Sequence, residues 1–257
     1  MSARTPSRGA ALVTGGAVRL GRAMALGLAE HGYDVAVHHR RSEDEAREVV
    51  DLIRAKGRRA AALKADLSRE EETAKLVAAA RETLGPLTLL VNSASAFDHD
   101  DIATMTRESW TAHIETNLYA PLKLAQDFAA QCDPSRDNLI VNLVDQRVLK
   151  LTPQFLSYTL SKAALYTLTK TLAQGLGPKN IRVNAIGPGP TLRNPRQSEE
   201  DWRRQNAATI LGHGASPDDI VGALLYLTGA TAVTGQMIAV DGGQHLAWRT
   251  GDVLVKE

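Results

Sequence analysis

Short β-prone apolar runs alternate along the chain with longer segments whose apolar residues recur at helical spacing. Ala10 to Val13 is followed by Leu20 to Glu30, Asp34 to His38 by Asp44 to Lys56, and Ala60 to Ala65 by Glu70 to Leu84. In the second helical segment Ala46, Val49, Val50 and Ile53 form one stripe. Glu43, Glu45, Arg47, Glu48, Arg54 and Lys56 fall mostly elsewhere, as a solvated face requires. The alternation continues through Pro86 to Asn92, a helical stretch from Glu108 to about Gln131, Asn138 to Val144, a helix from Ser157 to Leu176, Ile181 to Ile186 and Met237 to Val240. Ser216, Pro217 and two following acids mark one more helix start, with a cap, a rigid first position and an anionic first turn. About seven strands with crossover helices predict an α/β fold, a doubly wound parallel sheet with helices on both faces. No repeat or linker-like stretch divides it, so residues 10–257 read as one domain behind a flexible lead-in, residues 1–9.

Composition adds exclusions. The chain is 44% apolar and 23% charged, a balance that fits neither disorder nor a fibrous repeat. A formal net charge of +1 supplies no global field for nucleic acid or a membrane, so basic residues have to be judged locally. Cys132 is the single cysteine and cannot form an internal disulfide, which fits a reducing, cytoplasmic setting. There is no apolar stretch near the start that would serve as a secretory signal, and no eighteen-residue apolar run anywhere. The seven histidines show no metal spacing, so no metal is expected.

Candidate chemistry begins at the first strand-to-helix loop, which contains Gly15 and Gly21. In a doubly wound sheet this loop meets a helix N-terminus, where free backbone N–H groups and the helix dipole favour a pyrophosphate. At the end of the second strand, where an acid would hold an unphosphorylated ribose, the chain instead has Arg40, Arg41 and Ser42. Two guanidiniums and a hydroxyl suit a 2′-phosphate, so the expected cofactor is NADPH/NADP+ rather than NADH. Farther on, Tyr158 and Lys162 are one helical turn apart and share a face. A nearby ammonium and an oxidised nicotinamide would favour the phenolate, turning Tyr158 into an acid–base group.

In this order the motifs resemble the short-chain dehydrogenases/reductases over about Ala10 to Gly243. "YTLSK" resembles the family's Tyr-x-x-x-Lys, and "NSAS", carrying Asn92, Ser93, Ala94 and Ser95, its Asn-Asn-Ala-Gly segment. "TNLYAP" supplies Asn117 as the relay asparagine, "ADL" supplies Asp66 and Leu67 as adenine contacts, and "GPGP" supplies Pro188 and Gly189 beside the nicotinamide. The resemblance implies that Lys162 also holds the nicotinamide ribose.

Three departures resemble the pteridine reductase branch, which reduces biopterin, folate or monapterin with NADPH. Arg19 stands where the middle glycine of the loop belongs, ahead of Leu20 and Gly21. Asp145 replaces the usual catalytic serine thirteen residues before the tyrosine, and Ser95 is followed two residues on by Phe97. The resemblance implies that Arg19 reaches both cofactor phosphate and pterin, Phe97 stacks the pterin, and Asp145 joins Tyr158 in supplying protons. Phe97 could equally be a core residue, and Asp145 a turn cap. A carboxylate beside an ionising phenol opposes its charge, so the pKa of Asp145 should be raised. The expected reaction is reduction of a C=N bond in a small-molecule pterin or folate. Its rivals are a short-chain reductase acting on a ketone or alcohol, and a dinucleotide-binding regulator without turnover. Arg193 to Gln205 is expected to form a polar lid or a surface helix. Family resemblance further implies a homotetramer through the helices carrying Asn117 and Tyr158, with the "QHLAW" segment reaching a neighbour's site.

Overall fold

The computed structural model describes residues 7–194 and 196–248. Its strands are β1 (Gly9–Val13), β2 (Tyr33–His39), β3 (Ala60–Lys64), β4 (Leu87–Asn92), β5 (Asn138–Leu143), β6 (Ile181–Pro188) and β7 (Met237–Val240). They form one parallel sheet in the order β3-β2-β1-β4-β5-β6-β7. Its helices are α1 (Arg19–Glu30), α2 (Glu43–Ala55), α3 (Glu70–Leu84), α4 (Arg107–Ile114), α5 (Ala120–Gln131), α6 (Leu156–Leu176), α7 (Glu199–Ala207) and α8 (Pro217–Gly229). This is the Rossmann-type doubly wound arrangement the alternation predicts. The expected lead-in falls largely outside the described residues, and Gly9 already belongs to β1.

Strand order reverses between β1 and β4, and this crevice at the carboxyl ends of the strands is where such sheets take ligands. On one face α1 packs on α8, with Met24, Leu28, Ile220 and Leu224 in a core that also takes Val49 and Ile53 of α2. On the other, α3 packs on α5 through Leu76, Ala80, Leu124 and Phe128. Each of these large side chains contributes about 1.5–3 kcal/mol by leaving water. The predicted stripe of α2, Ala46, Val49, Val50 and Ile53, is buried throughout. Among the described residues no helix is long and apolar enough to cross a membrane.

Two local features were not in the pattern. The stretch expected as one helix from Glu108 to Gln131 carries a π-helical turn at Glu115–Tyr119 between α4 and α5, with the Ala120 N–H reaching back to the Glu115 carbonyl. Pro121 follows and has no N–H for the Asn117 carbonyl, so the regular ladder cannot run through. Phe155, at the cap of α6, has a left-handed backbone (φ 56°), which costs a phenylalanine about 1–3 kcal/mol and is typical of functional sites.

Candidate active site

A cavity of about 1280 Å³ opens at the switch point. It is larger than an ordinary small-molecule pocket and has room for a dinucleotide and a second ligand.

The glycine loop forms its first wall. Gly15 has φ +63°, and a Cβ there would lie 3.0 Å from Ala94 Cα, while a Cβ on Gly21 would lie 2.0 Å from the Gly15 carbonyl. Neither position admits a side chain. Val18 caps α1 without a side-chain bond and the first turn holds no acid, so the N–H groups around Arg19, Leu20 and Gly21 face the cavity as an anion site. His38 braces the loop. Its Nδ1 accepts the Gly15 N–H at 3.0 Å, so Nε2 carries the hydrogen and meets the Ala65 carbonyl at 3.1 Å. Burial lowers its pKa to about 4, keeping the ring neutral for that role.

At the end of β2, Arg40 pairs with Asp66 at 2.8 Å, fixing two of the expected cofactor residues against each other. Arg41 and Leu67 line the same cavity end. Ser42 stands at the start of α2, and its hydroxyl makes no capping bond to the helix. Glu43 in the first turn is turned toward Arg47 at 2.5 Å, which limits the repulsion an incoming phosphate would meet. Pro188 and Gly189 close the opposite side, and the Gly189 N–H is tied to the Val240 carbonyl at 3.0 Å.

Two of the expected residues lie under the cavity floor rather than in its lining. Asn92 donates to Asn142 at 2.9 Å inside the sheet. Asn117 accepts from the Ala96 N–H at 2.8 Å and donates to the Ala96 carbonyl and to Ser161 at 3.0 Å each. Its amide therefore fastens the loop that carries Ser95 and Ala96 to α6. Thr14 joins the same scaffold by accepting from the N–H groups of Ser93 (2.9 Å) and Ala94 (3.0 Å).

The phenol, carboxyl and ammonium do gather. The Tyr158 hydroxyl donates to Asp145 Oδ2 at 2.8 Å, while Asp145 Oδ1 accepts the Arg147 N–H at 2.8 Å. Asp145 is thus both the turn cap and the tyrosine's partner. Lys162 donates to the Leu143 carbonyl at 2.7 Å. Burial lowers the lysine's pKa to about 8 and raises that of Asp145, the expected direction but from burial rather than from the phenol, whose hydrogen bond lowers it. The expectation for Tyr158 rested on an ammonium and an oxidised nicotinamide acting together, and the protein's own groups act the other way. Burial first, and then the adjacent Asp145 carboxylate with its hydrogen bond, hold the phenol well above its usual value.

Phe97 stacks on Phe155 with centroids 4.6 Å apart and planes 2° from parallel, and meets Tyr158 edge-on at 4.7 Å. Arg147 lies over the other face of the pair, 4.8 Å from the Phe155 ring. Of the three phenylalanines in the chain, two stand in this cavity and one, Phe128, in the core. Neither Phe155 nor Arg147 carried a sequence signal, since their meeting depends on the left-handed backbone at 155. The expected lid is a loop leading into α7. Arg196 donates to the Phe97 carbonyl at 2.8 Å, and Arg19, in a left-handed conformation (φ 51°), donates to the carbonyls of Leu192 (3.0 Å) and Arg193 (3.2 Å). Arg19 therefore spans the glycine loop and the segment leading into α7. Among the described residues no group of acids, histidines and cysteine could hold a metal, and burial pushes the Cys132 thiol up to about 12, leaving it unreactive.

The family model described as "Enoyl-(Acyl carrier protein) reductase" matches residues 16–245. The chain belongs to the short-chain dehydrogenase/reductase family. Within it, the chain is 32% identical to the 3-oxoacyl-[acyl-carrier-protein] reductase FabG of Staphylococcus epidermidis, over 92% of this chain and 98% of that one. Crystal structures of FolM alternative dihydrofolate reductase 1 with NADP are also similar. That from Brucella canis is 43% identical with a TM-score of 0.90, covering 96% of this chain and 98% of its own. That from Brucella suis is 44% identical with a TM-score of 0.91, covering 98% and 99%.

Proposed function

We propose that this short-chain reductase uses NADPH to reduce the C=N bond of a dihydropterin or dihydrofolate. The observation that carries the reading is the 2.8 Å hydrogen bond from Tyr158 to Asp145, in a cavity that also holds Phe97. The likeness to two NADP-bound alternative dihydrofolate reductases supports it.

The dinucleotide would rest on the α1 N-terminus, with Lys162 at the nicotinamide ribose and Arg40, Arg41 and Ser42 at the 2′-phosphate. It supplies a hydride, and the protein must deliver one proton to the adjacent nitrogen to balance it. A protonated Asp145 can donate to the Tyr158 oxygen across the same 2.8 Å, which frees the phenolic hydrogen for the substrate. Once that hydrogen has left, the Asp145 proton passes to Tyr158, and water restores the carboxyl. Phe97 offers the flat ring an aromatic face. Arg41 makes no ion pair among the described residues, so Arg41→Ala is expected to raise KM for NADPH about 10- to 100-fold and to change KM for NADH less than twofold, as loss of a charge-assisted bond implies. Initial-rate assays with both cofactors check this, and equal effects would refute the assignment.

The second reading is a ketone reductase, favoured by the 32% identity to 3-oxoacyl reductases. NADPH oxidation measured against dihydrobiopterin, dihydromonapterin, dihydrofolate and a 3-oxoacyl thioester separates the two. Turnover of the thioester alone would overturn the pterin proposal, and tight NADPH binding with no turnover at all would leave a regulator. A cytoplasmic homotetramer belongs to the same proposal. Leu122 of α5 and Leu160 of α6 are exposed on the helices expected to meet a neighbour, and light scattering would give the assembly.

A further inference from the structure

Behind the cavity lies a polar cluster that the proposed chemistry does not use. His113 of α4 and Ser157 of α6 have no exposed surface, and Asp100, in the loop after Phe97, is 1% exposed. Its hydrogen positions follow from its partners. The Asp98 N–H donates to His113 Nε2 at 3.1 Å, so that nitrogen carries no hydrogen. Nδ1 must then hold the proton and donate to Ser157 Oγ at 2.6 Å. Ser157 Oγ in turn donates to Asp100 Oδ2, which also accepts from Ser109 Oγ at 3.0 Å, and the Ser157 N–H donates to Asp100 Oδ1 at 3.1 Å. The chain of bonds leaves one tautomer of one charge state.

What the cluster joins gives it meaning. One end grips Asp98, next to Phe97. The other ends on the residue before Tyr158, whose ring lies edge-on to His113 at 6.0 Å. We propose that neutral His113, acting through Ser157 and Asp100, is a positioning residue that sets the Phe97 loop against the Tyr158 helix and so fixes the aromatic slot for the substrate. This rests on reading the cavity as the site of a reductase for a flat heteroaromatic substrate.

Protonation would put a second hydrogen on Nε2, facing the Asp98 N–H, and two donors cannot share that position. Asp98 and Asp100 on the loop attract a proton to the ring, whereas Lys162 on α6 opposes one. Burial is the largest influence and keeps the pKa of His113 below its usual value, so the neutral clamp persists at neutral pH.

Two variants divide the clamp. His113→Leu removes both bonds, while His113→Gln retains an acceptor near the Nε2 position. With His113→Leu, KM for the dihydropterin is expected to rise about tenfold, the scale of one or two lost buried hydrogen bonds, while NADPH affinity stays within twofold. His113→Gln should recover most of that loss. Amide hydrogen exchange provides a readout free of turnover: the Asp98 N–H should exchange at least tenfold faster in His113→Leu and near the wild-type rate in His113→Gln. If His113→Leu does not fold, Ser157→Ala cuts the chain from α6 by freeing His113 Nδ1, and carries the same expectation for KM with a smaller but measurable rise in exchange at Asp98, whose bond to Nε2 loses its brace. Unchanged exchange at Asp98 in the folded variant, or equal loss of pterin and NADPH binding, overturns the proposal. If the wild type reduces no pterin, the reading of function has failed separately, and the exchange result still decides whether the clamp exists.

Discussion

Asp145→Asn is expected to lower kcat for pterin reduction by about 10²–10³, the range of a lost positioned proton donor, with NADPH affinity unchanged. Asparagine can still accept the Arg147 N–H and still faces Tyr158, so the cap and the geometry survive and only the ionisable proton goes. The pH profile makes the distinction sharper. Burial raises the pKa of Asp145, and its protonated form is the reservoir, so wild-type kcat should fall as pH climbs through that raised value. The variant should lose this limb. A separate limb should mark deprotonation of Lys162, whose pKa is lowered to about 8 by burial, and should remain in the variant. The groups are close enough to titrate together, so each limb belongs to the set. Stability should move in the opposite direction. A carboxyl whose folded pKa is raised stabilises the protein fully only below its unfolded pKa, and that contribution is lost as pH rises through the folded value. At pH 7 the asparagine variant should therefore be at least as stable as the wild type, which thermal unfolding would check. Full activity with an unaltered pH profile would remove Asp145 from the chemistry.

That the carboxyl and phenol meet was legible from spacing, because a strand and a helix carry them. Asp145 follows the end of β5 by two residues, and Tyr158 lies in the first turn of α6, so a short connection returns one to the other at the carboxyl edge of the sheet. The same logic made the glycine loop and the arginines after β2 readable, since parallel strands deliver their ends to one side. What escaped depended on side-chain direction or on backbone outside the regular regions. Asn92 sits in the right motif, but its amide points to Asn142 within the sheet. The π-helical turn sets the Asn117 amide on Ala96 and Ser161, and no helical periodicity announces such a turn. Phe155 meets Phe97 only because residue 155 adopts a conformation its side chain disfavours. The Leu143 carbonyl that takes the Lys162 hydrogen bond was equally illegible, being a backbone group with no residue-type signature.

Tyr158→Phe is expected to have the larger single effect, lowering kcat by about 10³–10⁴, near the upper end of what proton transfer contributes. Its ring contacts explain why binding should survive, since phenylalanine keeps the edge-on packing against Phe97 and the KM for pterin should stay within about threefold. The loss would also act on Asp145. Without the phenolic donor at 2.8 Å, the carboxylate loses one of its two hydrogen bonds, and its pKa should climb further. Any residual rate should therefore hold to higher pH than in the wild type, a shift that simple removal of an independent acid would not cause. The double variant separates the possibilities most directly. If Asp145 and Tyr158 form one proton path, then once Tyr158 is gone Asp145→Asn should add little, and the combined loss should approach that of Tyr158→Phe alone. Losses that multiply would mean that the two groups act on separate atoms of the substrate. In that case Asp145 would have to reach the substrate itself, and the 2.8 Å bond would serve only to orient the two side chains.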